Sequence, residues 1–330
     1  MGVNDPTELL GAYALDACEP EELPEIDAAL AQDPELRRNA DQLRAAAARL
    51  GTDAAIEPPA GLRARVLGAA RHRRAREPVL DLYATLTDTL LDVIDALPAV
   101  MLSATTANGL SVRDLVVHCG AQESLLAQLH GNPTIPELTV TDIDARTREL
   151  IAHFAAESLD DVVAFLRRTI DVNRNWAANP LNRDTLVPWL GAELSRHDAL
   201  VIRAFESWIH ADDLRRARGL PTVAPSPAHL ALMSDLSGRT TGFGLLMTGR
   251  SRPGRTARLV LTGEGGGEWL VAMGGGEPNA VPDVTVTAHV VDWCRRVGER
   301  IAPDALTCRI DGDHALAADL IEAASAFATL

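Results

Sequence analysis

Between Val79 and Arg218 the chain carries four long segments with apolar side chains at helical spacing, and three of them stop at a Pro or Gly. Such stripes must bury against one another, so this pattern restricts the middle of the chain to helix-on-helix packing. Leu82, Leu86, Leu90, Val93 and Leu97 mark the apolar face of a first helix over 79–97. Ser111-Val112-Arg113-Asp114 forms a capping box that opens a second helix, which carries Leu115, His118, Leu125, Leu126 and Leu129 and ends near Gly131-Asn132-Pro133. Ser158-Leu159-Asp160-Asp161 starts a third, which breaks near Asn179-Pro180. The fourth is predicted from about Ala192 to Arg218, before Gly219-Leu220-Pro221, with a lesser helical piece over 144–157 in the crossover. The expectation is a mainly α protein, with a four-helix bundle over 77–222.

The flanks differ in texture. Over 1–76 a short helical domain is expected: Asp5-Pro6-Thr7-Glu8 supplies a cap ahead of Leu9, Leu10, Tyr13 and Leu15, a second helix follows Pro24, and a third runs over 34–50. Residues 51–59 read as linker, and 61–76 as a helix ending in the basic run Arg71 to Arg76, a solvated face or connector rather than an interaction tail. Over 223–330 a helical stretch to Leu236 is followed by a glycine-containing apolar stretch to Met247. β-rich runs come next at 257–262, 269–273, 284–288 and 306–310, with helical patterns at 290–301 and 315–327. That third reads as a small α+β domain.

The formal net charge is -15 and all 31 basic residues are arginine. Such a balance repels phosphate backbones and anionic lipid, so neither nucleic acid nor a membrane surface is an expected partner. The four cysteines, Cys18, Cys119, Cys294 and Cys308, have no CxxC spacing, which fits reduced thiols in a cytoplasm rather than a disulfide framework or thiolate cluster. No apolar run approaches the ~18 residues of a membrane span, and no secretory leader is read at the start.

Glu206 and His210 stand at i and i+4, neighbours on one helix face, and can share one cation. His118, from another bundle helix, could supply a second imidazole, giving a His2Glu donor set of the kind catalytic zinc uses. Spacing alone leaves an ordinary Glu–His hydrogen bond open. Asp213, three residues beyond His210, could orient its imidazole, while Asp212 reads as a solvated helix end. Cys119 points away from His118 and reads as a core thiol; His153, His197, His229 and His289 show no partner spacing. Trp176, Trp189 and Trp208 read as core or as pocket lining.

The run Leu110 to His118, with Phe205 to Leu214 downstream, resembles the mycothiol-dependent maleylpyruvate isomerase family and the wider DinB-like metal-binding bundles. Asp283 to Leu320, especially Arg309-Ile310-Asp311-Gly312-Asp313-His314, resembles that family's smaller C-terminal domain. The resemblance implies zinc held by His118, Glu206 and His210, and mycothiol as the thiol whose bound thiolate attacks a small electrophile, in isomerisation or thiol transfer. It also implies a substrate-binding arginine in the C-terminal domain, left open among Arg295, Arg296, Arg300 and Arg309.

Leu9 to Ala17, Pro20-Glu21-Glu22, Ala28-Ala29-Leu30 and Pro58 to Leu67 resemble the cytosolic domain of zinc-associated anti-sigma factors. That family's HxxxCxxC positions fall on Ala29, Asp33 and Leu36, so the likeness is to its zinc-less members. It implies an alternative reading: a sigma factor bound through residues 1–76, in a regulator responsive to thiol or metal.

Overall fold

The computed structural model describes residues 9–15, 17–18, 22–53, 77–107, 109–133, 138–189 and 192–326, with the backbone alone at 50–53, 189 and 192. The cap at 5–8, the end of the 51–59 linker and the 61–76 helix with its basic run lie outside these residues. The chain divides into two compact units, 1–74 and 75–330.

In the first unit α1 (Leu10–Ala14), α2 (Leu23–Gln32) and α3 (Pro34–Asp53) close over Leu10, Ile26, Leu30 and Ala40. Asp33 accepts the backbone N–H groups of Glu35 and Leu36 and thereby starts α3. Tyr13 donates to Asp27, and the Arg44 guanidinium lies 4.3 Å from the Tyr13 ring centroid.

The second unit opens with the bundle: α4 (Pro78–Asp95), α5 (Val112–Leu129), α7 (Leu159–Ala178) and α8 (Arg196–Ala217), with α6 (Ile143–His153) in the crossover. α4 packs along α8 and α5 along α7. Ser111 accepts from the Asp114 N–H, and at Ser158 the reciprocal box with Asp161 is complete, so both starts lie where the sequence puts them. The fourth helix differs from its expected start, because residues 192–195 are strand. β1 (Leu186–Trp189) and β2 (Ala192–Ser195) form an antiparallel hairpin, and Ser195 then caps α8 by accepting from Asp198 N–H. Buried Arg196 holds this corner by donating to the Ala177 carbonyl and to Glu77.

Beyond the bundle, α9 (Pro227–Met247) is one continuous helix where two stretches were expected. Its glycines serve close packing: a Cβ at Gly238 would stand 2.3 Å from the Trp269 ring, and one at Gly244 2.6 Å from the Ala323 carbonyl oxygen. β3 (Thr256–Thr262), β4 (Gly267–Ala272), β5 (Val284–His289) and β6 (Cys308–Gly312) make a sheet of order β4-β3-β5-β6, in which only β3–β5 is parallel. α10 (Val290–Val297) and α11 (His314–Ala323) complete it. One hydrophobic cluster runs unbroken from Leu86, Leu200 and Trp208 of the bundle to Leu259, Val286, Trp293 and Leu320 around the sheet. The fold is mainly α with a small α+β part, and no helix of the described residues is long and apolar enough to cross a membrane.

Candidate metal centre

α8 is buried on nearly every side, and its polar residues are buried with it: Arg203, Ser207, His210, Asp212 and Asp213 all lie inside. Buried polar groups persist only where partners or charges compensate them, so their arrangement is informative. His210 Nε2 stands 3.3 Å from Glu206 Oε2, while its Nδ1 lies 3.2 Å from Asp213 Oδ2. His118, on the second turn of α5, brings its ring edge-on to His210, with centroids 5.1 Å apart at an interplanar angle of 86°. Sequence reasoning paired Glu206 with His210, and the fold brings His118 alongside.

Each imidazole is held from behind. The Thr147 hydroxyl donates to the Ile143 carbonyl, so its oxygen accepts from His118 Nδ1–H at 2.9 Å, which leaves His118 Nε2 as the lone-pair nitrogen. Asp213 accepts from His210 Nδ1–H, and His210 Nε2 is buried without a hydrogen-bond partner. Asp213 is itself clamped by Arg300, at 2.7 Å to Oδ1 and 2.5 Å to Oδ2. Gln122, one turn after His118, donates to Glu206 at 3.1 Å.

Burial, then the charge of His210, lower His118 to about 3, so it is a neutral ring. Burial works against charge on His210, but Asp213 and Glu206 outweigh it and raise its pKa. Burial alone would raise Glu206; the neighbouring His210 imidazole, with Arg203 and Gln122, brings it down to about 2. The centre therefore favours a positive charge at His210 Nε2, which either a proton or a metal ion supplies.

A metal fits part of this arrangement. Tetrahedral zinc with bonds of about 2.0–2.1 Å places donor atoms about 3.3 Å apart, and two imidazoles on one ion hold their centroids about 5 Å apart. The observed 3.3 Å and 5.1 Å agree with both. Among the described residues no group of three His, Cys, Asp or Glu side chains stands where it could together hold a metal ion. The pair and the imidazole edge beside it are what the fold brings together.

Other expectations resolve individually. Asp212 is not a solvated helix end: it is 2 % exposed and accepts from Val223 N–H at 3.0 Å, because the loop after α8 folds back over it. Cys119 lies in the core, where burial pushes its thiol pKa far up. His153 packs on Phe154, His229 pairs with Asp81 and His289 caps α10, all ordinary structural roles; His197 lies in the first turn of α8. Trp176 stacks on His130, Trp208 donates to the Val223 carbonyl, and the side chain of Trp189 lies outside the described residues. Among the four arginines, Arg295 reaches Thr222 and Asp212, Arg296 is buried against Ile321 and Ser325, and Arg309 is exposed beside Asp311. Arg300 alone of these four meets the His210 network. Thr147 and Gln122 were missed in sequence, and Arg300, one of the four arginines left open for substrate, was not foreseen as the partner of Asp213; only Gln122, four residues after His118, carried a readable signal.

The class defined is a helical bundle with a buried His/Glu/His constellation, packed against a small α+β part. Residues 83–215, the bundle itself, match the family model described as Mycothiol maleylpyruvate isomerase N-terminal domain, the family that the sequence motifs resemble. The crystal structure of the mycothiol-dependent maleylpyruvate isomerase is similar at 18% identity and TM-score 0.47, over 70% of this chain and 91% of that one. A histidine-to-alanine variant of that isomerase is similar at 17% identity and TM-score 0.45, with the same coverage. No curated protein matches the chain.

Proposed function

We propose that the bundle binds a divalent metal, zinc by its donor set, through His118, Glu206 and His210, and that mycothiol is the thiol it uses on a small electrophile, in isomerisation or S-transfer. The observation that carries this reading is His210 Nε2, buried and without a hydrogen-bond partner beside the Glu206 carboxylate. A bound divalent metal would supply charge that keeps a coordinating thiol deprotonated. The chain's own residues do the rest. Thr147 and Asp213 fix both tautomers so that each Nε2 faces outward from its support, and Arg300 neutralises Asp213 so that it stays an acceptor. Gln122 orients Glu206.

Elemental analysis of purified protein tests the metal: near-stoichiometric zinc or another divalent ion is expected, and its loss in His210→Ala. Titration calorimetry tests the thiol: mycothiol affinity that survives complete metal removal would overturn the mechanism.

A second reading is favoured by the separate compact unit over residues 1–74, whose HxxxCxxC positions hold Ala29, Asp33 and Leu36. This unit would bind a sigma factor by helix packing alone. Native co-purification from full-length chain, lost on deleting residues 1–76, is the expected result; absence of any sigma factor ends this reading.

A further inference from the structure

A cleft of about 40 Å³, open at its mouth, lies against the Glu206 face of α8, among that helix, β2, α9, the end of α10 and the residue after α11. Ile202, Phe205, Met233, Leu236, Val297 and Ala324 form its walls. Glu206 is its one ionisable lining residue, and no arginine lines it among the described residues. The nearest guanidinium from the C-terminal part is spent: Arg300 gives Nε and one NH2 group to Asp213 and the other to the Gly298 carbonyl. A dicarboxylate entering here would meet almost wholly apolar walls and no cationic side chain among the lining residues, so its charges would be desolvated without being paired there. One polar anchor remains. Ser237 accepts from Trp293 Nε1 at 2.7 Å, so its own hydroxyl proton is left to donate into the cleft it lines; Thr240 and Thr241 spend theirs on helix carbonyls.

We propose that this cleft binds an uncharged, apolar electrophile carrying a single hydrogen-bond acceptor, such as an α,β-unsaturated ketone, rather than a dicarboxylic acid. The inference rests on the thiol-using reading above and names its substrate class. The reaction is conjugate addition. The thiolate sulfur forms a bond to the β-carbon as the alkene π pair moves to the α-carbon, which takes a proton from water. The thiol's own proton has passed to solvent, the product is a thioether, and no oxidant or reductant is needed.

The test uses full-length, metal-loaded protein with three probes: saturated 2-alkanones of rising length, the corresponding enones with mycothiol, and maleate. The ketone dissociation constants are expected to fall about fourfold per added methylene until the cleft is filled, and maleate is expected not to compete. Thr240→Trp, at a partly exposed position on the wall, removes the chain-length dependence while leaving the urea midpoint unchanged. A flat ketone series, or maleate binding more tightly than a ketone of equal carbon number, overturns the proposal. Chain-length-dependent ketone binding without enone consumption upholds the ligand class and sinks the thiol reading; turnover of a dicarboxylate with a flat ketone series does the reverse.

Discussion

At the scale of single residues, the centre is a set of buried groups whose tautomers are set from behind. Replacing Asp213 by Asn removes the carboxylate that orients His210 and leaves Arg300 unpaired, so metal affinity is expected to fall about 10–100-fold in competition with a chromophoric chelator. An unchanged affinity would show that His210 is not a ligand. A half-buried histidine away from the centre gives a pH signature unconnected with the metal. His130 donates Nε2–H to Asn173, accepts from Asn132 at Nδ1 and stacks on Trp176. Burial, outweighing the Asn173 bond, lowers its pKa below the ordinary 6.5. The folded state holds the neutral ring while the unfolded chain takes up a proton, so stability rises with pH from the lowered pKa up to 6.5. Urea midpoints measured at pH 5 and pH 7 are expected to differ less in His130→Gln than in the parent protein.

Individual elements depend on their ends. The reciprocal box between Ser158 and Asp161 satisfies backbone donors at the start of α7, and Ser158→Ala is expected to cost about 1 kcal/mol in urea denaturation. A loss below a few tenths would mean that water replaces the cap. The two starts with a clear Ser-x-x-Asp signal, at 111 and 158, were legible in the sequence. The same signal exists at Ser195-Arg196-His197-Asp198, but helical spacing of apolar residues continuing upstream hid the β1–β2 hairpin. α9 was obscured in another way. Gly238, Gly242 and Gly244 look like breaks until the close approach of β4 and α11 shows that a side chain would not fit.

For the whole second unit, a ligand that binds only the folded bundle must stabilise it by mass action. Zinc at about 100 times its dissociation constant is worth about 2.7 kcal/mol, or roughly 5–10 °C in Tm for a domain near this size. Calorimetric scans with and without chelator are expected to show that shift in the parent chain and none in His210→Ala.

Periodicity and capping residues by themselves determined the helical class, the order of most elements and the Glu206–His210 pair, because those properties are set within one or two helical turns. The placement of His118 beside that pair, the clamp of Arg300 on Asp213 and the burial of Asp212 were decided only by tertiary structure. They join residues 87 or more positions apart in the chain, or depend on a loop folding back, and no local spacing encodes them. The apolar cleft against Glu206 is of the same kind. Its walls come from β2, α8, α9, the end of α10 and the residue after α11, and a surface assembled from separate segments exists only once they are packed.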